Sequence, residues 1–153
     1  MAGHILLGQP ERQTGDIDVW APATDPRSLG ILRKAVIAAG LLFDPTEECL
    51  DPETGYVQLV RPGIVSLPAN FPVEVIYQTG KLTIVMPPTA ILAAIKLVRG
   101  SDSDLDDVVW WVSHRDLTMK ELQVAAESIP NERNREQAVD QLLFVELLVR
   151  RSQ

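Results

Sequence analysis

Pro87 and Pro88 divide the chain by periodicity, and that division limits the folds open to it. Proline has no backbone N–H and cannot sit inside a helix or a central strand, so two in a row end whatever precedes them. Before the pair lie "YVQLVR", "PVEVIYQ" and "LTIVM", whose β-branched and aromatic residues favour strands. The last two are joined by "TGK", short enough for a hairpin. After the pair, "TAILAAIKLVRG", "SDSDLDDVVWWVSH", "TMKELQVAAES" and residues 131–151 read as helices. Thr118 and Glu121 have the spacing of a capping box, and Ala138, Leu142, Val145 and Val149 put one apolar stripe on the final helix.

Two elements come earlier. "GDIDVW" alternates polar and apolar and stops at Pro22, which predicts a short strand with Asp16 and Asp18 on one face and Ile17 and Val19 anchored in the core. "TDPRSLGILRKAVIAAG" predicts a helix over about 26–39, with Asp25 as N-cap, Pro26 at the first helical position and Gly40 as a left-handed C-terminal stop. Residues 41–55 hold two Asp-Pro pairs and further acidic and turn residues, and read as an exposed loop. The sum is an α/β chain: a small mixed β-sheet with flanking helices, then a helical C-terminal half. At 153 residues it suits one domain, 1–153, and is too short for two of ordinary size.

The charge balance narrows the partners. With 21 acidic and 14 basic residues the net charge is −7, so the surface as a whole repels phosphate backbones, although a local basic pocket could still hold a nucleotide. Cys49 is the single cysteine, which rules out an internal disulfide, and no basic-then-apolar leader is visible at the start. The apolar run "LLFVELLV" is interrupted by Glu146 and is too short for a membrane span. The expected setting is cytoplasmic, without a membrane partner.

The chemistry centres on Asp16 and Asp18. Two carboxylates at i and i+2 on a strand present their oxygens on one face and can share a divalent cation, with Mg²⁺ or Mn²⁺ the fitting ions beside substrate phosphates. The same pattern also describes the solvated face of an antiparallel sheet. Glu74 in "FPVEVIY" is the candidate third carboxylate, on a neighbouring strand, or simply one polar position of an alternating strand. Lys96 and Arg99 are three residues apart on one helix face and suit phosphates, as they also suit a helix C-terminus. Asp102, Asp104, Asp106 and Asp107 fit the start of the next helix, and Trp110 and Trp111 read as core and interface.

These residues resemble the minimal nucleotidyltransferases of the DNA polymerase β-like superfamily, in particular the AbiEii-like toxin branch. "AGH" at residues 2–4 resembles the Gly-Gly-x turn of that branch, and "RQTGDIDVW" its R-x-T/S-x-D-I-D-hydrophobic signature. "ILAAIKLVRGSDSDLDDVVWWV" resembles its second block, a helical lysine followed by an arginine and a D-L-x-D run. The resemblance implies that Asp16 and Asp18 are metal ligands, that Lys96 contacts nucleotide phosphate, and that Asp104 is an acidic active-site residue. It implies that Gly3, Arg12 and Thr14 shape the turn and approach the phosphates. Glu74 matches the third carboxylate only loosely. The implied reaction is Mg²⁺-dependent transfer of a nucleoside monophosphate from a nucleoside triphosphate to an RNA or protein hydroxyl, as the toxin of a toxin–antitoxin system with an antitoxin partner. The alternative is a non-catalytic binding component of a protein complex.

In the family the turn follows a strand and a helix, whereas this chain opens at the turn, with Ala2 in place of the first glycine. The expectation is a start lying further upstream, a strand supplied by a partner or second copy, or loss of catalysis. An open sheet edge beside residues 16–20, with apolar surface on the last helix and at Trp110 and Trp111, predicts a homodimer, with a hetero-complex as the alternative.

Overall fold

A computed structural model describes residues 8–9, 15–20, 25–46, 54–60, 67–68, 70–80 and 83–151. The chain forms two compact units, residues 1–65 and 66–153. In the first, β1 (Asp16–Trp20) and β2 (Leu42–Phe43) flank β3 (Tyr56–Val60), and both pairings are parallel. Helix α1 (Pro26–Ala38) lies between β1 and β2 in sequence. Its start follows the prediction: Asp25 accepts hydrogen bonds from the Arg27 and Ser28 N–H groups, with Pro26 just inside. Gly40 takes a positive φ of 78° at its end.

Residues 41–55 are not wholly the exposed loop expected of them. Leu42 and Phe43 pair with Tyr56 and Val57, and the half-buried Asp44 fixes the chain beyond them. Its N–H donates to the Val57 carbonyl, and its carboxylate accepts from the Leu59 N–H. Two apolar residues beside the central strand, where Val57 is buried, form an edge that composition alone does not reveal.

The single mixed sheet is also corrected. Strands β4 (Glu74–Gln78) and β5 (Thr83–Met86) form a separate antiparallel pair, the hairpin predicted around "TGK", with an irregularity between Val75 and Tyr77. Pro68 and Pro72 lie just before β4 and offer no N–H donor to a ladder there. Val73 and Val75, expected as apolar flanks of Glu74, are exposed.

The second unit is otherwise helical: α2 (Thr89–Arg99), α3 (Asp102–His114), α4 (Met119–Glu127) and α5 (Glu132–Arg151). Helix α2 is buried from Ile91 through Leu97 and packs on α3, α4 and α5. Its partners contribute Val108, Trp111, Leu122, Ala126, Ala138 and Val145 to the core. The capping box at Thr118 and Glu121 forms as predicted, and Ala138, Leu142, Val145 and Val149 are the buried stripe of α5. Among the described residues no helix is long and apolar enough to cross a membrane.

Candidate functional site

The two blocks singled out in the sequence fall in different units. In the first, β1 is an edge strand of the described sheet, and parallel pairing sets Asp16 beside Tyr56 and Asp18 beside Gln58. Residues in register on adjacent strands share a face, so the two carboxylates stand together with the Tyr56 ring. Both aspartates are half-buried. Burial raises the Tyr56 hydroxyl above its ordinary pKa, and the negative charges of Asp16 and then Asp18 raise it further. The opposite face is less enclosed than expected: Val57 on β3 is buried, but Ile17 at the edge is 41% exposed.

Glu74 does not lie on a strand paired with β1. It stands on β4 opposite Met86 and is exposed. Among the described residues no three or more His, Cys, Asp or Glu side chains gather into a metal site. Asp16 and Asp18 remain two hard oxygen donors on a rigid strand, a donor set that fits Mg²⁺ or Mn²⁺, which keeps several waters beside one or two carboxylates. Gly3, Arg12 and Thr14 lie outside the described residues.

The second block forms a charge cluster at the α2–α3 corner. Gly100 takes a left-handed conformation, φ 62°, and its N–H donates to the Lys96 carbonyl. Ser101 then caps α3: its hydroxyl accepts from the Asp104 N–H and donates to Asp104 Oδ2 at 2.7 Å. The turn carries the chain back so that Asp104 and Asp107 face Lys96. Lys96 Nζ donates to Asp104 Oδ1 at 3.0 Å and to Asp107 Oδ2 at 2.7 Å, and lies 5.6 Å from the centre of the Trp111 ring. Arg99 reaches the same Asp104 carboxylate through Nε and Nη2.

Lys96, expected as a cation open to phosphates, is instead enclosed: the residue is 2% exposed, and Asp104 and Asp107 are as deeply buried. A buried ammonium is tolerable only with matched carboxylates, and here two surround it. Burial pushes the Asp104 carboxyl up, but hydrogen bonds from Arg99, Ser101 and Lys96, together with the Lys96 charge, outweigh this and hold it below the ordinary carboxylate value. The side chain of Arg99 is 52% exposed and is the cation of this cluster that faces water.

Asp107 is the residue that sequence reasoning missed. Asp104, Asp107, Val108 and Trp111 are the buried positions of α3, at i, i+3, i+4 and i+7. That is the spacing of a core stripe, so the apolar pattern carries two carboxylates in it and calls for a buried cation. Trp111 is fully buried, as expected of a core residue, and its Nε1 has no hydrogen-bond partner. Trp110 is half-buried and stacks on His114 with ring centres 4.9 Å apart.

The chain matches no protein-family model, no curated protein and no solved structure.

Proposed function

We propose that the chain is a divalent-cation-dependent nucleotidyltransferase-type domain that moves a nucleoside monophosphate from a nucleoside triphosphate to an RNA or protein hydroxyl. The observation that supports this best is the half-buried Asp16–Asp18 pair, in register on one strand and acting on one phenol. In the reaction the acceptor oxygen bonds to the α-phosphorus, the bond to the bridging oxygen breaks, pyrophosphate leaves with that electron pair, and the acceptor proton passes to solvent. Asp16 and Asp18 would hold the cation, which would neutralise phosphate charge and make the acceptor hydroxyl more acidic. Within the second unit Lys96 holds Asp104 and the α2–α3 corner, and Arg99 is the cation of that cluster that faces water. As a toxin of this type the protein would have an antitoxin partner.

A second reading, a nucleotide- or protein-binding component without turnover, is favoured by one observation. Lys96, the phosphate contact of the resemblance, is already neutralised inside the fold. Incubation with each α-labelled triphosphate, Mg²⁺ or Mn²⁺, and RNA or protein acceptors separates the two. Cation-dependent label transfer that disappears in Asp16→Asn with Asp18→Asn supports the enzyme; triphosphate binding without transfer supports the binding component. Absence of both binding and transfer overturns the enzyme and the nucleotide-binding component, and leaves only a component that binds protein.

A further inference from the structure

Helix α5 has a second stripe, nearly opposite its buried one, that the unit does not use. Leu143, Phe144 and Leu147 are 65%, 57% and 56% exposed, and Val139 beside them is 36% exposed. Asp140, Leu143, Leu147 and Arg150 follow one another at steps of three, four and three residues, the heptad spacing that lets two helices mesh side by side. The leucines occupy the middle of the run, with an acid at its N-terminal end and a base at its C-terminal end.

That polarity selects the occupant. From this geometry we infer that the stripe docks on the same stripe of a second copy, antiparallel, about a two-fold axis that passes between Leu143 and Leu147. Leu143 of each copy then packs on Leu147 of the other, and Asp140 of each meets Arg150 of the other. A parallel arrangement would set Asp140 against Asp140 and Arg150 against Arg150, a like-charge juxtaposition that disfavours it. The interface is isologous, so one surface supplies both halves. Arg150 at present pairs with Glu146 one turn back, an exposed contact of the kind that contributes little and can be exchanged. Four apolar side chains a copy make a small interface, in the weak, transient class.

Sedimentation equilibrium of the full chain, from low to hundreds of micromolar, tests this. The expected result is a monomer–dimer equilibrium. Leu143→Asp should raise the dissociation constant by about 30-fold or more, as loss of a central anchor does. Asp140→Arg should raise it by roughly tenfold, and adding Arg150→Asp in the same chain should bring it back, because the pair is restored with its signs exchanged. Thermal melting checks that the variants fold, which exposed positions permit. A monomer at every concentration overturns the inference. So does a dimer indifferent to Leu143→Asp, which would place the contact elsewhere, or a doubly exchanged chain no better than Asp140→Arg, which would remove the antiparallel pairing. Association only with a different protein also overturns it.

Discussion

Replacing Lys96 by Met keeps the length and apolar stem of the side chain and removes only its charge. Four charged groups meet at the α2–α3 corner, Lys96 and Arg99 against Asp104 and Asp107, and they balance. Without Lys96 the balance is one negative charge over, and Asp107 loses a 2.7 Å hydrogen bond at a site only 2% exposed. Breaking one partner out of a buried ion pair costs about 3–5 kcal/mol because the remaining charge stays desolvated. Small domains are stable by about 5–15 kcal/mol, so Lys96→Met should remove a large share of the stability and lower the urea midpoint by on the order of 2 M. The pH dependence gives the reasoning a sign. A buried carboxyl that loses its neighbouring ammonium has its pKa raised relative to wild type, so its ionised form destabilises the variant and ceases to do so once protonated. The gap between wild type and variant should therefore narrow as pH falls from neutral toward the carboxylate range. Circular dichroism in urea at several pH values reads both effects. A loss below about 1 kcal/mol at neutral pH, the size expected of an exposed pair, or a gap independent of pH, would refute the buried-cluster account.

Three further outcomes are expected. Gly100→Ala should destabilise by about 1–2 kcal/mol in the same denaturation assay, since the left-handed backbone penalises a Cβ and the added carbon would sit 3.1 Å from Gln141 Nε2. In wild type, the depressed Asp104 carboxyl contributes stability that is present above its unfolded value of about 4 and is lost as pH falls through its lower folded value. An acid titration of stability should show that loss, and Asp104→Asn should flatten it. Tyr56, followed by phenolate absorbance in a Tyr77→Phe background, should ionise at lower pH when Mg²⁺ is added, because a cation at Asp16 and Asp18 offsets the charges that hold its proton. Asp16→Asn with Asp18→Asn should also lower it and should remove the response to Mg²⁺.

Local chemistry made most elements legible. Asp25 with Pro26, Thr118 with Glu121 and Gly100 each mark a helix end by a backbone requirement that few residues meet, and those ends appear where the sequence puts them. What stayed hidden depends on pairing at a distance. Leu42 and Phe43 become a strand because β3 needs a neighbour, and no period of two residues can reveal that. Glu74 can join the aspartates only if a neighbouring strand brings it alongside, and β4 pairs with β5 instead. For the charge cluster the pattern is present in the sequence: Ile91 through Leu97 form one apolar run around Lys96, and α3 supplies matching carboxylates at core spacing.

Calorimetric titration of Mn²⁺ into wild type and into Asp16→Asn with Asp18→Asn, with matched thermal melts, tests the central claim that this aspartate pair is a cation site. The account predicts saturable binding to the wild type that is lost in the variant while the fold is kept. Equal binding by the two proteins, or none by either, would contradict it.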